Sequence, residues 1–173
     1  MSRNVIVLLL AVSSLIVFSN LQAAPAVEQK AVLVTGASSG LGRNMTEMMA
    51  ANGYFVYAGA RKDEDIEALN AIENVRAVRL DVTRQEDIDA AVRTVIDEGR
   101  GLYGLVNNAG VLVSSSLVDI DEQEFDFQMN VNVYGPYRIT RAFAPLVIES
   151  RGRIVTISSI AGTLSSATWG LTR

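Results

Sequence analysis

AVLVTGASSGLG, residues Ala31 to Gly42, places four apolar residues directly before a glycine-rich turn and the start of an amphipathic stretch. The order reads strand, turn, helix. Glycines at 36, 40 and 42 lack the Cβ atoms that would obstruct a tight turn and a close backbone approach. A helix opening there aims its first, unpaired N–H groups and its positive dipole end at whatever fills the turn. That is a cradle for an anion such as the pyrophosphate of a dinucleotide. Gly36, Ser38, Ser39, Gly40, Leu41 and Gly42 are the candidate contacts. A glycine-rich turn that only caps a helix has the same local sequence, so this segment alone leaves both readings open.

Outward from it, apolar runs alternate with amphipathic ones. Strands are predicted over 31–35, 54–60, 75–80, 102–107 and 153–158, and helices over 41–51, 64–71, 86–97 and 122–148. Such β-α-β alternation with short connections implies right-handed crossovers and a doubly wound α/β fold, its parallel sheet covered on both faces. Ligands of such sheets bind at the carboxyl ends of the strands. Ser114, Ser115 and Ser116 read as loop, and the acidic run Asp119 to Glu122 as capping charge at a helix start.

Composition narrows the chemistry. With 49% hydrophobic and 20% charged residues among 173, the chain is globular and long enough for one domain with a core. A net charge of −4 with scattered basic residues argues against a nucleic-acid partner. The absence of cysteine and histidine removes thiolate and imidazole metal ligands and the commonest general base, so no metal site is expected. Catalysis must use hydroxyls, carboxylates, amides or amines.

The N-terminus reads as a separate segment, residues 1–26. Arg3 precedes an apolar run from Val5 to Phe18, and small residues near Ala23 and Ala26 suit cleavage. This is the pattern of an export signal, for the periplasm or a secretory pathway. The lack of charge between Arg3 and Glu28 equally allows an uncleaved membrane anchor through residues 5–18. A cytoplasmic protein with a sticky leader is the third reading.

Four more segments follow, three at predicted strand ends and one inside the helix predicted over 122–148. They are Leu80-Asp81-Val82, the run from Asn107 to Gly110, the run from Asn132 to Gly135, and the run from Gly152 to Gly162 that contains Ser158 and Ser159. Together with residues 35–42, in this order and spacing, they resemble the classical short-chain dehydrogenase/reductase family from about Lys30 to Gly162. The resemblance implies a Rossmann-type domain over residues 30–173, hydride transfer between a ketone or aldehyde and an alcohol, a nicotinamide dinucleotide cofactor, and homo-oligomers among full-length relatives.

Residue by residue, Asp81 can accept from an adenine amino group while Val82 offers a flat apolar contact. The alternative is that Asp81 caps the next helix. Asn108, Ala109 and Gly110 are small and amide-bearing, suited to a cofactor passing close to backbone, and Asn107 fits a structural tie between strands. Arg61 closes the second strand where an NAD site of this kind carries a carboxylate, so a bidentate contact to a 2′-phosphate favours NADP, with NAD still open. Otherwise Arg61 is a solvated loop charge beside Lys62. For catalysis the resemblance assigns Ser159 to polarise a substrate carbonyl and Asn132 to hold a water that relays protons. Both could instead tie down local backbone.

One departure is large. The family's tyrosine general acid/base, with a lysine four residues later, is expected twelve to fourteen positions after the serine motif. Thr172 occupies that place and Arg173 follows it. The expectation is therefore a fold incomplete at its C-terminus, and the competing reading is a dinucleotide-binding fragment or an NADP(H)-sensing interaction protein without turnover.

Overall fold

Branched and small apolar residues at alternating positions build five parallel strands. They are β1 (Ala31–Val34), β2 (Phe55–Ala60), β3 (Val75–Arg79), β4 (Gly104–Asn107) and β5 (Arg153–Thr156). The computed structural model describes residues 29–116 and 118–160. The expected leader over residues 1–26 and the position of Thr172 lie outside the described residues.

The strands join in the order β3-β2-β1-β4-β5. Val32 of β1 stands between Val56 of β2 and Gly104 of β4. The helices between them are α1 (Gly40–Ala51), α2 (Asp63–Asn70), α3 (Gln85–Asp97), α4 (Glu122–Met129) and α5 (Gly135–Glu149). The expected doubly wound architecture is present.

The pleat of β1 shows why both faces are covered. Ala31 and Leu33 point into one core with Tyr57, Leu105, Ile88, Val95, Ile139 and Phe143, beneath α3 and α5. Val32 and Val34 point into the other, with Val56, Ala58, Leu69 and Val106, beneath α1 and α2. A strand buried on both sides reads as a continuous apolar run, as Ala31 to Val34 does. Tyr57 is fully buried, and its hydroxyl has no hydrogen-bond partner among the described residues. Burial, and secondarily the negative charge of Glu98, hold its phenol neutral and push its pKa up.

Two expectations are corrected. The helical stretch predicted over 122–148 is two helices joined by a π turn at Asn130–Tyr134. One apolar period cannot tell a continuous helix from one carrying an extra residue in a turn. The last strand stops at Thr156, short of Ser158, although the Ile157 N–H still donates to the Asn107 carbonyl at 2.9 Å. Asp121 does cap α4, its carboxylate accepting from the Glu124 N–H at 2.8 Å, and Ser114 to Ser116 lie in loop. β5 is the sheet edge among the described residues, with Val155 half exposed and Ile154 close behind.

Candidate functional site

Strand order reverses between β1 and β4, so the chain leaves their carboxyl ends in opposite directions and a crevice opens there. Thr35, the first residue beyond β1, builds its floor. Its buried Oγ1 accepts from the backbone N–H groups of Asn108 and Ala109, each at 3.0 Å. The Asn108 amide returns the tie, donating to the carbonyls of Thr35 at 3.0 Å and Gly36 at 3.1 Å. One hydroxyl and one amide thus lock the turn after β1 to the turn after β4.

The glycines fit this frame for separate reasons. Gly36 has φ +65°, and a Cβ there would stand 2.8 Å from the Ala109 Cα. A Cβ on Gly42 would meet the Gly36 carbonyl oxygen at 2.1 Å and the Asn108 amide at 2.5 Å. Gly40, at φ +54°, faces open space. Ser39 precedes α1 in extended backbone, and its carbonyl accepts the first helical bond from the Arg43 N–H at 3.1 Å. Its side chain makes no capping bond. The first-turn N–H groups of α1 are therefore uncapped by that side chain and directed at the crevice, as an oxyanion requires.

The crevice continues as a groove of ≈ 230 Å³. Gly36, Ser38, Ser39, Leu41, Gly42, Arg61, Asp81, Val82, Asn108, Ala109 and Gly110 line it, so every predicted cofactor contact except Gly40 is brought to one place. A larger hollow of ≈ 670 Å³ opens at the amino ends of the strands and contains none of them.

At the far end of the groove Asp81 does not cap α3. Its Oδ1 accepts from the Thr83 N–H at 2.9 Å and the Thr83 hydroxyl at 2.6 Å, shaping the turn into that helix. Asp87 reaches back to the Asp81 N–H at 3.1 Å. The other oxygen of Asp81 lies 3.9 Å from the guanidinium of Arg61. Arg61 is mostly exposed, and so loose a pair contributes little and leaves the guanidinium available. Arg79 donates to the Arg61 carbonyl and pairs with Asp63, which fixes the turn that carries Arg61.

The two residues assigned to catalysis do not line the groove. Asn132 sits in the π turn and grips Val111 with both ends of its amide: Nδ2 donates to the Val111 carbonyl at 2.8 Å, and Oδ1 accepts from the Val111 N–H at 2.9 Å. It thereby holds Val111, which lines the groove, as does its sequence neighbour Val131. One N–H and one lone pair of the amide stay available for a further partner. Asn130, its near twin in sequence, instead accepts from Arg138 at 2.8 Å. Gly135 lets α5 start against the groove wall, since a Cβ there would press on Val82 at 2.8 Å. Ser159 lies exposed beyond the end of β5. Asn107 is the structural tie expected, its Nδ2 within reach of Thr140 on α5 at 3.0 Å and Thr156 on β5 at 3.4 Å.

Sequence reasoning missed Thr35 and Val111 as parts of the site. Thr35 had a signal, as the polar residue closing an otherwise apolar strand. Val111 had none, because its role depends on an amide 21 residues away.

Comparison with known proteins agrees with this frame. The profile of the short chain dehydrogenase family matches residues 30–171. The chain is 33% identical over 150 residues to the mitochondrial D-beta-hydroxybutyrate dehydrogenase of Bos taurus, covering 81% of this chain and 44% of that protein. It is 36% identical over 140 residues to 17-beta-hydroxysteroid dehydrogenase type 6 of Homo sapiens, covering 78% and 44%. A crystal structure of a short-chain dehydrogenase from Streptomyces avermitilis superposes with a TM-score of 0.77 at 37% identity, covering 83% of this chain and 54% of that one. The chain thus spans about half the length of the relatives it matches. With the sheet order, the glycine turn locked by Thr35 and Asn108, and a family profile across nearly all of the described residues, the chain belongs to the short-chain dehydrogenase family.

Proposed function

We propose that the groove beside β1 and β4 holds NADP, and that the chain serves hydride exchange between a ketone or aldehyde and the corresponding alcohol. The observation that carries this reading is Arg61, an available guanidinium at the groove end where its nearest acidic group, Asp81, stands 3.9 Å away. The residues fit the cofactor by charge and by shape: glycines where a Cβ would close the cradle, uncapped N–H groups for the pyrophosphate, and a cation for the 2′-phosphate. When bound, the nicotinamide supplies or accepts the hydride. The chain's own part is to bind and orient it. Asp81 and Val82 hold the adenine end, while Asn108 to Gly110 line the passage along the backbone. Ser159 donates to the substrate oxygen, and Asn132 keeps Val111 in place and holds a water for proton relay.

If Arg61 grips the 2′-phosphate, Arg61→Asp weakens NADP binding by about 1–3 kcal/mol more than NAD binding, the range of a lost charged hydrogen bond. Calorimetry with both nucleotides decides it, and equal losses remove the argument for NADP.

The family relationship supports small carbonyl or alcohol compounds as partners, and the acidic composition speaks against nucleic acid.

For location, the apolar run from Val5 to Phe18 supports export, or anchoring in a membrane. N-terminal sequencing of the protein from each cell fraction is expected to begin near residue 24 or 27 in the exported form and at Met1 in the membrane form. An intact Met1 on soluble cytoplasmic protein refutes both.

A further inference from the structure

Away from the cofactor groove, a second groove of ≈ 530 Å³ runs between α3 and α5. Three arginines line it, Arg93 from α3 with Arg138 and Arg141 from α5. The chain carries a net charge of −4, and several of its other arginines find carboxylates, as in Arg43–Glu47, Arg76–Glu98 and Arg79–Asp63. Among the described residues these three make no ion pair.

Two of them, Arg138 and Arg141, have neutral, directional partners. Arg138 is half-buried, and its Nη1 donates to the Asn130 side-chain oxygen at 2.8 Å and the Asn130 carbonyl at 3.4 Å. Its guanidinium also stands 5.5 Å from the centre of the Tyr134 ring. Arg141 donates to the Tyr137 hydroxyl at 3.4 Å. Such contacts position a guanidinium without neutralising it, and a partly buried charge without a counter-charge is unusual. The one carboxylate lining the groove, Asp89, is engaged by Gln85 at 2.8 Å. Three arginines against one carboxylate, with Arg138 held by Asn130, suit a compact, multiply charged oxyanion, which arginine binds bidentately.

We propose that the α3–α5 groove is a binding site for a phosphate-class oxyanion, a phosphomonoester or diphosphate group held by Arg93, Arg138 and Arg141. It is separate from the cofactor cradle and stands whether or not that cradle prefers NADP.

The test uses the full chain saturated with NADP, so that the N-terminus of α1 is occupied, and inorganic pyrophosphate as probe. The arginine Nε–Hε signals of Arg93, Arg138 and Arg141 are expected to shift saturably with pyrophosphate and not with chloride at matched ionic strength. Arg93→Gln with Arg141→Gln, both at exposed positions, should weaken the affinity roughly tenfold or more, as loss of two charge-assisted contacts requires. Asp89→Asn should tighten it by about twofold to threefold, the direction expected when an exposed like charge is removed. A misfolded variant cannot mimic that gain. Shifts that follow ionic strength alone, or an affinity unchanged in the double variant, overturn the proposal. Shifts that appear with rising protein concentration and no pyrophosphate also overturn it, by placing a second copy's carboxylates in the groove.

Discussion

Purified 173-residue protein is expected to bind NADP and yet to reduce carbonyl substrates slower by a factor of about 10²–10⁴ than a family member with its proton donor in place. On the proposed reading Ser159 would polarise the carbonyl, but hydride arrival on carbon must be matched by a proton on oxygen. The described groove lining offers no titratable side chain for that proton besides Asp81, which is bound to Thr83 and lies at the Arg61 end. Ser159→Ala separates the outcomes. Turnover that survives this substitution, and follows the protein through chromatography, means that the catalytic centre is elsewhere. Turnover abolished by it keeps Ser159 in place and requires a proton donor other than the family's tyrosine. Recovery of monomeric protein is itself informative, because β5, the sheet edge among the described residues, carries exposed Ile154 and Val155 that invite strand pairing or association.

Gly42→Ala is expected to cost about 3 kcal/mol or more, at or beyond the upper end for overpacking, because the added carbon meets backbone and not a movable side chain. The Gly36 carbonyl it would strike also accepts the Asn108 amide, so relieving the clash breaks the tie between the two turns. Gly40→Ala is the control. Its Cβ meets nothing within 4 Å, and only its φ of +54° penalises alanine, by about 1–2 kcal/mol. Urea unfolding of both variants checks the order. A midpoint for Gly42→Ala equal to that of Gly40→Ala would show that the turn after β1 does not pack against α1 as described.

Where chemistry and backbone demand coincide within a few residues, the amino-acid order was sufficient. Residues 31–42 specify a buried strand, a turn with no room for a Cβ at Gly36 or Gly42 and a helix start, because all three are local requirements. Arg61 and Asp81 were legible for the same reason, each closing a strand whose carboxyl end must lie at the crevice. That both would meet at one end of one groove, 3.9 Å apart, required the pairing of β2 with β3.

Other parts depended on residues far apart in the chain. The break in the helix predicted over 122–148 left no mark on the apolar period, since Val131, Gly135 and Ile139 still face inward across it. Asn132 and Asn130 are indistinguishable by type, yet one grips Val111 and the other Arg138, according to how the π turn rotates each side chain. The sequence by itself determined the parallel α/β architecture and the glycine turn before α1, because strand periodicity and glycine sterics act over short range. Only the tertiary structure decided that Thr35 locks two turns more than seventy residues apart, that Asp81 shapes its own turn instead of capping α3, and that three arginines converge between α3 and α5. Hydrogen bonds and charges reach a few ångströms in space, and which side chains come within that reach is set by the sheet order.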